Sequence, residues 1–184
     1  MKPYNKFPTT IERKGYTYKL NLSYKAVFLC LDIFNDTQLE DTEKVILAMD
    51  ILIEDQHEYD IELLDAVLHL IRPKKEARRK EKVIDIEKDY DLILAAFMQA
   101  YGIDIEESNM HYLKFIALLN GLPGETRLAD VIQIRTMPVP KPGERSPEDI
   151  AEILRLKAEY TLNDADTFQE GIGMLFNTLK RRIE

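Results

Sequence analysis

The chain has 184 residues, a net charge of −8 and a sequence pI of about 5.0. That acidic balance argues against a protein built as a whole to bind nucleic acid, because phosphates need a cationic surface. Cys30 is the only cysteine, which excludes an intramolecular disulfide, and no stretch approaches the roughly 20 apolar residues of a membrane helix. The first residues, Met1-Lys2-Pro3-Tyr4-Asn5-Lys6, lead into no long apolar run, so no signal peptide is expected, and the chain reads as cytosolic.

The first predicted element is a β-hairpin. Residues 9–13 and 16–20 are β-rich, and Lys14-Gly15 between them suits a tight turn with positive φ at glycine. A lone hairpin is marginal in water and should pack on a helix or on a partner. Ser23 then caps a helix to about Phe34, with Val27, Phe28, Leu31 and Phe34 on one face, and Cys30 reads as an inert core thiol. Asp41 or Thr42 is the expected cap of a second helix, with Val45, Ile46, Met49, Leu52 and Ile53 inward. Asp60 caps a third, with Ile61, Leu64, Leu68 and Ile71 inward, ending at Pro73.

Composition then changes. Residues 72–82 hold seven basic and two acidic residues, a local charge of +5 in a chain of −8, so the remainder carries −13. This stretch has almost nothing apolar to bury and reads as an exposed linker. A solvated spacer is the plainer reading. An electrostatic contact through Lys74, Lys75, Arg78, Arg79 and Lys80 is the functional one. No aromatic residues are interleaved for base stacking, which weighs against nucleic acid.

Beyond the linker the periodicity predicts a helix from about Asp85 to Tyr101, with Ile86, Tyr90, Ile93, Leu94, Phe97 and Tyr101 as its apolar stripe and Gly102 as its left-handed cap. Ser108 or Asn109 is expected to start a helix to about Asn120, closed by Gly121. Thr126 caps a short helix through Val131 and Ile132. Three prolines in residues 137–143 demand an extended loop. Ser146-Pro147-Glu148-Asp149 is a strong helix start, with a serine cap, proline in the first turn and acids facing the dipole. A last helix over residues 165–182 would turn Phe168, Ile172, Leu175, Phe176 and Leu179 inward, with Gly171 and Gly173 inside it and Lys180-Arg181-Arg182 at its basic end. The fold class is therefore mostly α: helical bundle subdomains with a small N-terminal β-hairpin. The division expected is 1–72, a basic linker over 73–84, and a helical subdomain over 85–184.

The residues that could carry chemistry are scattered. His57, His69 and His111 are far apart and form no paired metal-binding spacing on one helix. No glycine-rich phosphate loop or nucleophile elbow occurs, and the acids of residues 85–91 read as complements to a helix dipole. No catalytic residue, metal or cofactor is expected, and the chain reads as a non-enzyme.

Residues 89–105 and 110–123, followed by Thr126 and Val131-Ile132-Gln133-Ile134-Arg135, resemble in order and spacing the bacteriophage gene-product-fifteen family of phages and prophages of Gram-positive bacteria. The likeness is most specific over residues 85–136. Where the family usually shows two tryptophans after the histidine, Tyr112 and Leu113 stand here. The resemblance implies a phage protein encoded between the major tail protein and the tape-measure protein. By this resemblance it acts in tail assembly as a chaperone for the tape-measure and tail-tube proteins, works in the host cytoplasm and is absent from the mature virion. Methionines such as Met98, Met110 and Met174 would suit an adaptable surface or fill core gaps. The candidate protein-interaction residues are His111, Tyr112, Phe115 and Tyr101, with a plain core role for the aromatics as the alternative. Self-association stays open at this point. A nucleic-acid-binding regulator using residues 72–82 is the other function considered.

Overall fold

Lys14 and Gly15 both take positive φ, 49° and 79°, the mirror-image turn geometry whose twist matches that of the strands it joins. The computed structural model describes residues 7–71, 83–141 and 143–162. Elements in order are strands β1 (Thr10–Arg13) and β2 (Tyr16–Lys19) and helices α1 (Tyr24–Asn35), α2 (Asp41–Leu52), α3 (Ile61–Ile71), α4 (Tyr90–Tyr101), α5 (Tyr112–Asn120), α6 (Arg127–Thr136) and α7 (Pro147–Glu159). The protein is mostly α, with one antiparallel hairpin among the described residues. The expected basic linker, apart from Val83 and Ile84, Pro73 and the expected last helix lie outside the described residues. The described residues fall into two compact units, one of residues 7–71 and 109–117, the other of residues 83–108 and 118–162.

In the first unit β1 and β2 pair from Thr10↔Lys19 to Arg13↔Tyr16. The chain stays extended after β2, and both edges of residues 20–23 are taken up. On one side Asn21 N–H donates to the Leu52 carbonyl (3.0 Å) and Glu54 N–H to the Lys19 carbonyl (3.0 Å). On the other, Tyr24 N–H donates to the Met110 carbonyl (3.0 Å) and Tyr112 N–H to the Leu22 carbonyl (2.7 Å). Backbone groups are therefore satisfied where Leu20 and Leu22 are buried. At its tip the hairpin is tied to the start of α3, Lys14 Nζ donating to Asp60 at 2.9 Å and Arg13 to Glu62. It is thus held by the rest of its unit, as its short length requires.

The helix starts follow local capping chemistry. Ser23 Oγ accepts from Ala26 N–H, and Asp60 Oδ1 accepts from Glu62 N–H at 2.9 Å. The cap of α2 is Glu40, one residue before the expected Asp41 or Thr42. Its own N–H donates to the Glu43 carboxylate at 2.8 Å, the back-reaching half of a capping box. Val27, Cys30 and Leu31 of α1, Ala48, Met49 and Leu52 of α2, and Leu64, Val67 and Leu68 of α3 form the core. Each large apolar side chain buried there contributes about 1.5–3 kcal/mol. Burial pushes the Cys30 thiol up to about 12, so it stays protonated and inert. Leu29, inside the same apolar run, faces solvent.

The second unit packs α6 against α4 and α7. Ile93, Ala96, Phe97, Leu128, Val131 and Ile153 are buried. Gly102 closes α4 in the left-handed conformation (φ 62°), Thr126 caps α6 through Ala129 N–H, and Ser146 caps α7 through Asp149 N–H at 3.1 Å. Two helices start later than the periodicity suggests. Residues 86–89 form a turn, with the Asp85 carboxylate accepting from Glu87 and Lys88 N–H, and α4 begins only at Tyr90. α5 begins at Tyr112 and not near Ser108, because residues 110–112 are engaged in extended pairing with residues 22–24. Among the described residues no helix is long and apolar enough to cross a membrane.

Candidate interaction surface

His111 is half-buried and fully engaged. Leu113 N–H donates to its Nδ1 at 3.1 Å, so the ring proton sits on Nε2, which lies 3.0 Å from the Pro8 carbonyl and donates to it. The Phe7 ring stacks on the imidazole, with centroids 5.1 Å apart and planes 18° from parallel. Burial lowers the His111 pKa below 6.5, and the hydrogen bond to Pro8 offsets part of that shift. His111 thus pins the residues before β1 to the start of α5 as a neutral imidazole.

Tyr112 and Phe115, one turn of α5, are each 1% exposed. Phe115 stacks on Tyr24 at 4.6 Å and meets Phe28 edge-on at 5.5 Å, while Tyr112 meets Phe28 edge-on at 6.1 Å. Such pairs add about 0.5–1.5 kcal/mol each beyond area burial. Burial raises the Tyr112 pKa well above the ordinary phenol value. These two rings hold α5 against α1. Large apolar side chains at these positions, with tyrosine in place of one family tryptophan, serve that packing.

Tyr101 belongs to the second unit, where its hydroxyl donates to the Leu118 carbonyl at 2.9 Å and its ring meets Phe97 edge-on. Lys74, Lys75, Arg78, Arg79 and Lys80 lie outside the described residues. The large apolar side chains that reach solvent include Leu29 and Leu47 in the first unit and Met98 and Leu154 in the second. Met110, by contrast, is buried.

Periodicity did not single out the most developed polar constellation. Arg135 of α6 grips Asp89 with two nitrogens at 2.6 and 2.8 Å, and the side chains are 9% and 3% exposed. The same guanidinium donates to the carbonyls of Val83 (3.0 Å) and Tyr160 (2.7 Å). Asp89 also accepts from Asp85 N–H at 2.9 Å. Asp89 is thus committed to Arg135, and Asp91 is the acid in the first turn of α4. Lys157 Nζ adds donors to the Arg135 and Met137 carbonyls at 2.6 and 2.8 Å, satisfying the end of α6. This node joins residue 83, α4, α6 and the end of α7. The sequence signal for it is faint: one of two arginines in α6 and one acid among several.

His57 presents Nδ1 to the Asp55 carbonyl at 2.9 Å, with Nε2 3.5 Å from Asp50, whose carboxylate accepts from the Tyr59 hydroxyl. Among the described residues no group of three or more His, Cys, Asp or Glu side chains could hold a metal ion. Taken together, these contacts define a mostly helical protein in which His111, Tyr112 and Phe115 hold the first unit in shape and Arg135 and Asp89 the second.

The chain belongs to the bacteriophage Gp15 protein family, whose model matches residues 4–162. It is a bacteriophage protein, as the resemblance of residues 85–136 implies. No curated protein and no solved structure matches it.

Proposed function

We propose that this protein acts in phage tail assembly as a non-enzymatic chaperone or scaffold, binding the tape-measure and tail-tube proteins in the cytoplasm of the bacterial host and leaving before the virion is complete. The observation that supports the reading is membership of the Gp15 family over residues 4–162, taken with the tail-region role that the resemblance of residues 85–136 implies. The surface is compatible with it. A tape-measure protein is long and helical, and its apolar stripes must be covered before assembly. Helices that present apolar side chains to water, such as α1 with Leu29, α2 with Leu47 and α7 with Leu154, offer such a partner an apolar face. The sequence of residues 72–82 adds a cationic stretch for acidic partners.

The test is co-expression with the tape-measure protein of the same phage. Co-purification together with a rise in soluble tape-measure protein is the expected outcome. A tape-measure protein that stays insoluble, with no complex recovered, refutes the reading.

A further inference from the structure

Cys30 Sγ lies 3.9 Å from the Ala48 carbonyl oxygen, and Lys44 Nζ donates to the Phe34 carbonyl at 2.9 Å. Residue 30 thus stands beside 48 and residue 34 beside 44, so α1 and α2 run antiparallel. Successive residues turn a helix by about 100°. With Cys30 and Ala48 at the contact, Leu31 and Met49 turn towards the core, where both are buried. Leu29 and Ile33 of α1 turn outward. Leu47 and Ile51 of α2 turn to that same side, because reversing the helix direction also reverses the sense of rotation. Along the pair they alternate as Ile33, Leu47, Leu29 and Ile51, an apolar zigzag about 9 Å long at the helical rise per residue. Leu29 is 50% and Leu47 38% exposed, and Ile33 and Ile51 are half-buried. The rim of this strip is acidic. Asp36, Glu40 and Glu43 are exposed at the end where α1 leads into α2, and Asp50 is exposed on the outer side of α2. α1 and α2 hold one lysine each, and both are engaged: Lys44 on the Phe34 carbonyl, and Lys25 over the Tyr24 ring, 5.8 Å from its centroid.

We propose that this strip docks an amphipathic helix of a partner protein, one whose apolar stripe is flanked by lysine and arginine. A helix suits the groove because its walls are themselves helices, with their backbone groups bonded internally. An extended strand laid there would find no free edge and would leave its own N–H and C=O groups unpaired. Apolar side chains at i, i+3 or i+4 and i+7 of a helix span about 10 Å, which matches the strip. Cationic flanks suit it because the rim is acidic, so a basic partner gains attraction at the rim and a steered encounter. A second copy of this chain would set the same acids against each other, and an anionic membrane surface would be repelled in the same way. The proposal rests on the tail-assembly reading for the identity of the partner protein. The face and the chemistry of the docking helix come from the α1–α2 geometry alone.

Fluorescence anisotropy of a labelled synthetic peptide, titrated with the full chain, tests it. The peptide is helix-forming, with leucine at i, i+3, i+4 and i+7 and lysine at the flanking positions. Saturable binding is expected, and replacing the flanking lysines by glutamate should weaken it roughly tenfold or more. The double variant Leu29→Asp, Leu47→Asp alters exposed positions only, so circular dichroism should be unchanged while binding falls roughly tenfold or more. That variant is more acidic than the unaltered chain, so attraction by charge alone would tighten binding instead. Leu154→Asp, on α7 in the second unit, should leave binding unchanged. Absence of saturable binding overturns the groove assignment, even where the tape-measure protein co-purifies. Binding that survives the double variant overturns it too, as does equal binding of the glutamate-flanked peptide.

Discussion

Replacing Arg135 by alanine removes four hydrogen bonds at once from the second unit. The Asp89 carboxylate is left 97% covered with one backbone donor, Asp85 N–H. A buried charge stripped of its partner costs about 3–5 kcal/mol. In a chain of this size that corresponds to a fall of about 6–20 °C in Tm. Val83 and Tyr160 are only half-buried, so their carbonyls can turn to water and add little. Arg135→Lys keeps the charge but loses the fork that reaches Asp89, Val83 and Tyr160 together, and should fall between. The double variant Arg135→Met, Asp89→Leu removes the orphan charge and should recover most of the loss. Urea unfolding followed by circular dichroism gives the magnitudes. Hydrogen exchange should place the loss in residues 83–108 and 118–162. An Arg135→Ala cost below about 1 kcal/mol, or a double variant no more stable than the single, would refute the argument that this pair organises the unit.

Two further outcomes follow from the first unit. Phe115→Ala should cost about 3–5 kcal/mol, because the ring is fully buried between Tyr24 and Phe28, and Phe115→Leu distinctly less; chemical denaturation of the two variants checks the order. His111 makes stability depend on pH, in a direction set by its lowered pKa. Above about pH 7.5 the imidazole is neutral in both folded and unfolded chains and adds no pH dependence. As pH falls through 6.5 the unfolded chain takes the proton first, so stability drops until the folded pKa has been passed. His111→Gln can still donate to the Pro8 carbonyl but does not titrate, so the unaltered chain should lose stability relative to this variant between about pH 7.5 and about pH 5. A difference that stays constant across that range would contradict the neutral assignment.

The elements legible in the sequence are those decided within a few residues. The hairpin turn at Lys14-Gly15, the caps at Ser23, Asp60, Thr126 and Ser146, and the left-handed Gly102 depend on side chains bonding their own neighbours or on a backbone freedom peculiar to glycine. The apolar stripes of α1, α3 and α4 are legible for the same reason, since a helix's period is local. The starts of α4 and α5 are not. The α4 start is displaced because Asp85 makes a turn and Asp89 is held by an arginine 46 residues on. The α5 start is displaced because residues 110–112 pair with residues 22–24 from the far end of the chain.

The candidate surface divides in the same way. The sequence leaves two readings of His111, Tyr112 and Phe115 open, an interaction surface or plain core. Whether an aromatic ring faces water or the core depends on what stands opposite it, and for Phe115 that is Tyr24, some 90 residues earlier. The sequence alone determined the helical class, the turn and cap chemistry, the charge contrast at residues 72–82 and the family to which the chain belongs. Only the tertiary structure decided that residues 109–117 share a core with the N-terminal hairpin, that Arg135 and Asp89 join the second unit, and that Leu29 is left facing solvent. The physical reason is that burial and ion pairing are properties of residues brought together from distant parts of the chain, and local periodicity carries no record of which ones meet.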